Sequence, residues 1–266
     1  MTGATCASHL GLPPVIGHRG AAAAAPENTL AGMRMAHRLG ARWVEFDVRL
    51  SGDGQCIVLH DDTIDRTSDG RGVAGQMSLA ALRRYDAGAW FDERFAGARI
   101  PSFLELIELL AELGLGANVE IKPAAGQEAE TARAAVAVLR RSWPKHLPAP
   151  LLSSFAPLAL EAARDAAPEI ARGHLFGRIP ANWREEVERL GCVTVHCDEG
   201  RLDRATARAV IAGGYPLLAY TVNRPERARE LLGWGLGAVF TDCPDRIIAA
   251  LSEGEKSSPN GPGIHT

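Results

Sequence analysis

Short apolar runs alternate with segments of helical periodicity from one end of the chain to the other. Strand-like runs fall at 15–17, 43–48, 117–121, 151–153, 170–175, 192–196, 216–221 and 237–240, eight in all. After the first, a helix is expected to open at Pro26-Glu27, where proline fits the first turn and an acid suits the positive end of the helix dipole. Leu30, Met33, His37 and Gly40 then recur at helical spacing. Further helical segments are expected at 102–113, 127–143, 156–166, 182–189, 203–213, 225–234 and 244–251. Eight consecutive strand–helix units predict an α/β fold of the (β/α)8 TIM-barrel type, and 266 residues suit one such barrel. A doubly wound open sheet is the rival, but it requires no such count.

One interval breaks the rhythm. About fifty residues separate the second strand from the helix at Ser102, against the usual βα loop of ~2–6 residues. They hold an extra strand at 56–59, a turn-rich stretch from Thr67 to Gly72, and the aromatics Trp90, Phe91 and Phe95. An insertion after a barrel strand lies at the C-terminal face, where barrel active sites form. Residues 1–251 are expected to be one domain, with the insertion at about 61–101, and the Ser-, Gly- and Pro-rich segment 252–266 to be a disordered tail.

Composition narrows the function classes. Lys and Arg number 29 against 32 Asp and Glu, a net charge of −3, which offers no basic excess for nucleic-acid phosphates. Five scattered cysteines, Cys6, Cys56, Cys192, Cys197 and Cys243, do not form a disulfide framework and suit a reducing compartment. The N-terminus has no basic region followed by an apolar core, and no apolar run is long enough to span a bilayer. The expectation is a cytoplasmic protein without stable membrane association.

The chemistry concentrates at strand ends. Glu45 and Asp47 stand two apart in one strand and share a face. Glu120 recurs near the end of the third barrel strand, with Lys122 on the same face. Three carboxylates there supply hard oxygen ligands for one divalent cation, Mg²⁺ or Ca²⁺. The competing reading leaves them solvent-exposed or paired with Arg42, Arg49 or Lys122. His18 ends the first strand, followed by Arg19 and Gly20, and His60 follows the extra strand. Two imidazoles around one pocket can divide acid and base duties, and a cation can neutralise phosphoryl charge, which together suit phosphodiester cleavage.

Gly17-His-Arg-Gly20, Pro26-Glu-Asn-Thr29, Glu45-Phe-Asp-Val48 and His60-Asp61 resemble the signature of the glycerophosphodiester phosphodiesterase family. Glu120-Ile-Lys-Pro123, Ser154-Phe155, Tyr220-Thr-Val-Asn223 and Thr241-Asp242 are similar to its later blocks, so the resemblance runs from about residue 15 to 248. It implies a metal-dependent barrel that cleaves small glycerophosphodiesters, such as glycerophosphocholine or glycerophosphoethanolamine, to sn-glycerol 3-phosphate and an alcohol. It further implies His18 as general base, His60 as general acid, and Glu45, Asp47 and Glu120 around the cation. Arg19 and Lys122 would contact the phosphate, with Phe155 and Tyr220 completing the substrate site. Tyr220 stands where many members carry tryptophan. The nucleophile is either the glycerol 2-hydroxyl, through a cyclic phosphate, or water. Two rival readings are a lysophospholipase D, entered past Trp90, Phe91 and Phe95, and a catalytically inactive barrel that binds phosphodiesters.

Other signals point elsewhere. Cys192, His196 and Cys197 lack zinc-site spacing, and His196 and Cys197 face opposite ways along a strand. Gly233-Trp-Gly-Leu-Gly237 precedes a strand and reads as a helix end and turn. The alternation of Arg and Glu over 224–230 predicts a solvated helix face.

Overall fold

The computed structural model describes residues 11–256. Its strands are β1 (Val15–Gly17), β2 (Trp43–Leu50), β3 (Cys56–Val58), β4 (Gly116–Ile121), β5 (Leu151–Ser154), β6 (Ala171–Phe176), β7 (Thr194–Asp198), β8 (Leu217–Tyr220) and β9 (Ala238–Thr241). Helices α1 (Leu30–Arg38), α2 (Leu79–Leu82), α3 (Phe103–Leu113), α4 (Glu128–Ser142), α5 (Pro157–Ala166), α6 (Trp183–Arg189), α7 (Arg204–Ala212), α8 (Pro225–Gly233) and α9 (Pro244–Lys256) intervene. All strands but β3 pair in parallel in chain order, and β1 closes the ring against both β9 and β2. The result is the expected (β/α)8 barrel. β3 runs antiparallel to the outer end of β2, with Val48 opposite Val58, and carries the chain out of the barrel into the insertion.

The periodicity of each element explains its place. All eight residues of β2 are buried, because helices cover one face and the barrel interior the other. Ile16, Trp43, Leu151, Leu218, Ala238 and Phe240 fill the interior. Trp43 lies at the start of β2 and spreads over Gly116, where a Cβ would stand 2.3 Å from its ring. The N-terminal end of the barrel is therefore plugged. The insertion has its own small core of Ile57, Leu59, Ile64, Ala74, Leu82, Ala87 and Ile100. The helix that follows it starts on a capping box between Ser102 and Glu105 and stops at Gly114, whose φ of 68° suits glycine.

Several boundaries differ from those expected. α1 begins at Leu30 rather than at Pro26-Glu27, because Asn28 is left-handed at φ 56° and Thr29 supplies the cap to Gly32. β7 begins at Thr194, not at residue 192, because the Cys192 amide is taken by Val187 O at the end of α6. α9 runs through Lys256, so the first turn of the segment expected to be disordered is helical, with Ser252 Oγ bonded to Ile248 O. The rest of that segment, 257–266, and the N-terminal residues 1–10 with Cys6 lie outside the described residues. Arg227 is not on a solvated face. Its side chain is 14% exposed, pairs with Glu199 and Glu230, and lies over the Trp234 ring. Among the described residues, no helix is long and apolar enough to cross a membrane.

Candidate active site

Parallel register brings the three acids together. Asp47 pairs with Glu120 across β2 and β4, and Glu45 with Asn118. Glu45, Asp47 and Glu120 each present an oxygen within 4.8 Å of the others, and their exposures are 4%, 1% and 9%. Two basic groups serve them. Lys122 Nζ donates to Glu120 Oε1 at 2.9 Å and lies 3.4 Å from Asp47, and Arg19 Nε lies 3.4 Å from Asp47 Oδ2. Arg42 and Arg49, also weighed as partners, are elsewhere: Arg49 forks onto Asp62, and Arg42 lines a pocket with Trp43 at the plugged end.

The charges do not balance. Burial, with the charges of Asp47 and Glu120, outweighs Arg19 at Glu45 and holds its carboxyl well above the usual range. Burial and the Asp47 charge likewise raise Glu120, to about 7. Asp47 escapes: burial would raise it, but Lys122, Arg19, His60 and the amide of Asn28 hold it at about 2. Glu45 Oε1 is buried with no hydrogen-bond partner, while Oε2 accepts the Arg19 amide at 3.0 Å. An unpartnered carboxylate oxygen in a knot of three acids fits a divalent cation. These residues can hold one.

The loop after β1 shapes one wall. A Cβ on Gly17 would stand 2.2 Å from Gly20 O, and one on Gly20 2.6 Å from the Gly32 backbone, so only glycine lets the loop fold over α1. Arg19 and Asn28 both adopt positive φ within it, at 49° and 56°. Asn28 uses that geometry to grip Asp47 twice, through Nδ2 to Oδ2 at 2.8 Å and from the Asp47 amide to Oδ1 at 3.3 Å.

Each imidazole is anchored by a carboxylate. His18 Nδ1 meets Asp242 Oδ1 at 2.6 Å, and Asn223 Nδ2 donates to Asp242 Oδ2 at 2.6 Å. His60 Nδ1 meets Asp61 Oδ1 at 2.6 Å, and Arg49 Nε donates to His60 O. Both rings therefore keep Nε2 for the cavity. Burial, with help from Arg19 and Lys122, draws His60 below the ordinary imidazole range despite Asp47 and Asp61.

A cavity of about 230 Å³ opens here at the C-terminal barrel end. His18, Arg19, Glu45, His60, Glu120, Lys122, Phe155 and Tyr220 line it, and Asp47 lies beneath. All nine expected residues thus converge. Tyr220 OH donates to Phe176 O at 2.8 Å and its ring meets Phe155 edge-on, giving an aromatic wall that begins beside Lys122, whose Nζ lies 5.8 Å from the Phe155 ring centre. Trp90, Phe91 and Phe95, the entry that the rival lysophospholipase D reading requires, pack on one another and line neither this cavity nor the 350 Å³ groove beyond Lys122 and Phe155. His196 is fully buried against Phe240, and its partner is Thr194 rather than a thiol.

The supporting groups Asn28, Asp61, Asn223 and Asp242 were visible as motif letters, but nothing local in the sequence assigned them partners. Glu27, expected to cap a helix dipole, instead accepts from Arg19 Nη1 at 2.8 Å.

Cationic groups placed for an anion, carboxylates placed for a metal ion and two imidazoles with Nε2 directed inward define a barrel phosphodiesterase. Residues 18–246 match the model of the glycerophosphoryl diester phosphodiesterase family, and the chain belongs to that family. It is 30% identical over 245 residues to the glycerophosphodiester phosphodiesterase of Caldanaerobacter subterraneus, covering 90% of this chain and 98% of that one. Among solved structures it is similar to an Oleispira antarctica phosphodiesterase in complex with the product sn-glycerol-3-phosphate. That match has a TM-score of 0.89 and 42% identity, over 95% of this chain and all (100%) of the other. Glycerophosphodiester phosphodiesterase from Agrobacterium tumefaciens matches with a TM-score of 0.76 and 28% identity, over 90% of this chain and 100% of that one.

Proposed function

We propose that this protein hydrolyses small glycerophosphodiesters to sn-glycerol 3-phosphate and an alcohol, with His18 as base and His60 as acid. The observation that carries the reading is the matched anchoring of the two rings, Nδ1 to a carboxylate and Nε2 to the cavity, beside the three acids. Arg19 and Lys122 receive the phosphate, and the glycerol lies against Phe155 and Tyr220. Asp242 accepts a hydrogen bond from His18 Nδ1–H, so Nε2 is the basic nitrogen and takes the proton of the glycerol 2-hydroxyl. As that oxygen bonds to phosphorus, the bond to the alcohol oxygen breaks and His60 Nε2 delivers its proton there. Binding the anionic diester favours the protonated form of His60, which burial alone disfavours. In the second half His60 takes a proton from water as the water oxygen bonds to phosphorus, the bond from phosphorus to the 2-oxygen breaks, and His18 returns its proton to that oxygen. Mg²⁺ or Ca²⁺ held by Glu45, Asp47 and Glu120 would offset phosphoryl charge.

The substrate is a small molecule, and neither a nucleic acid nor a membrane is a partner in this reading. Cys56, Cys192, Cys197 and Cys243 are buried and unpaired, which supports a reducing, cytoplasmic compartment.

The test is release of glycerol 3-phosphate from glycerophosphocholine and glycerophosphoethanolamine, followed with each metal in turn. Excess EDTA should abolish it, and His18→Ala or His60→Ala should each lower turnover ~10²–10⁴-fold. Full activity in EDTA would remove the metal, and near-wild-type variants would remove the histidines. A diester lacking the 2-hydroxyl should be inert; if it turns over normally, water attacks directly. Faster turnover of a lysolipid than of the water-soluble diesters would move the assignment to a lysophospholipase D.

A further inference from the structure

Arg66 lies in the insertion, six residues after His60 and 46% exposed at its side chain, and the mechanism above gives it no part. Its guanidinium holds two carboxylates at once. Nε and Nη2 donate to Asp61 Oδ2 and Oδ1 at 2.7 and 3.1 Å, and Nη1 and Nη2 donate to Glu27 Oε2 and Oε1 at 2.8 Å each. Each carboxylate also holds a site residue. Asp61 Oδ1 takes His60 Nδ1, and Glu27 Oε1 takes Arg19 Nη1. One planar fork therefore joins the insertion, which carries the proton donor, to the loop after β1, which carries a phosphate ligand.

Such half-exposed pairs contribute little to stability, so the value of the arrangement lies in orientation. Asp61 by itself is a short side chain next to His60 and could swing into solvent. With both its oxygens bonded to Arg66, it has one position and fixes the imidazole in one ring orientation. Burial would raise the Glu27 carboxyl, but its bonds to Arg66 and Arg19 keep it ionised and able to hold Arg19 in the cavity. A lysine could offer a charge here, but not four bonds in one plane.

We propose that Arg66 is a positioning residue for both halves of the site: through Asp61 it aims His60 at the departing alcohol, and through Glu27 it holds Arg19 on the phosphate. The inference rests on the proposed diester cleavage.

It is tested by comparing glycerophosphocholine, whose alkoxide must be protonated as it leaves, with the p-nitrophenyl ester of glycerol 3-phosphate, whose phenolate need not be. In single turnovers, which see only departure of the alcohol and not the later attack of water, Arg66→Ala should slow release from the choline ester about 10²-fold but from the aryl ester less than about threefold, because only the first departure needs His60 aimed. KM should rise on both esters, because both use Arg19. The single-turnover loss on the choline ester should be absent in a His60→Ala background. Added guanidinium chloride at low concentration should restore part of the activity of Arg66→Ala. If that variant does not fold, Arg66→Lys should give the same contrast between esters in weaker form. Equal single-turnover losses on the two esters, a full loss added to that of His60→Ala, or unchanged kinetics would each overturn the proposal. A wild-type enzyme releasing no glycerol 3-phosphate would overturn the function itself; a loss in His60→Ala without one in Arg66→Ala would overturn only this inference.

Discussion

Glu120→Gln should change the stability of the metal-free enzyme in a way that grows with pH. Folding raises the Glu120 carboxyl from 4.5 to about 7, chiefly by burial and then by the Asp47 charge. Between those values the folded protein keeps a proton that the unfolded chain has released, so the contribution of Glu120 to stability falls as pH rises through this window. The fall amounts to about 3 kcal/mol between pH 4.5 and 7. Asp47 takes no part, since its own shift from 3.8 to about 2 acts only below that range. The wild-type curve alone is a poor test, because His196 acts in the opposite sense. Its imidazole is lowered from 6.5 to about 3 by burial, so it makes the fold more stable as pH rises toward 6.5. The difference between wild type and variant removes that contribution.

Thermal melts in chelator should therefore show Glu120→Gln gaining on wild type with pH, by about 6 °C at pH 7 relative to pH 4.5, at about 2 °C per kcal/mol for a chain of this size. Saturating Mg²⁺ or Ca²⁺ should erase that lead, since a cation at about a hundred times its Kd adds roughly 3 kcal/mol to the protein that keeps all three ligands. A melting difference independent of pH in chelator, or an equal response of both proteins to the cation, would refute the strained-acid account.

Asp242→Asn should be nearly as damaging as loss of His18. Asn223 Nδ2 needs an oxygen at that position, so the new amide would turn its NH₂ toward His18 Nδ1 and leave the proton on Nε2. A kcat loss on the order of 10³–10⁴-fold with an unchanged melting temperature is expected; a loss under tenfold would count against His18 as base. Asn28→Ala removes both bonds to Asp47 and places a less tolerant residue at φ 56°, which should cost about 2–3 kcal/mol in urea unfolding. Asn28→Gly should recover the backbone part only, so cation affinity measured by calorimetry should stay weak.

The barrel was legible because its signal is local. Each strand is an apolar run bounded by turns, and the count of eight leaves few architectures. The acids were legible for the same reason, since Glu45 and Asp47 alternate onto one face whatever surrounds them. What escaped depends on partners far along the chain. Glu27 satisfies the rule for a helix N-terminus, yet Arg19 and Arg66 claim it, and the left-handed Asn28 delays the helix to Leu30. Arg227 sits in an Arg–Glu alternation that suggests solvent, but Glu199 and the Trp234 ring cover it, and neither contact is a helical neighbour on the exposed face. The strain among the acids was also hidden, because their burial follows from barrel closure.

The way the barrel closes also ties activity to completion of the chain. β1 pairs with β9 at three positions and with β2 at one, so the first strand depends mainly on the last. His18, the proposed base, and its anchor Asp242 stand on opposite sides of that seam, 224 residues apart. A chain cut before residue 238 would lack both β9, the main partner of β1, and the carboxylate that His18 Nδ1 meets. Under the proposed mechanism such a product would be inactive.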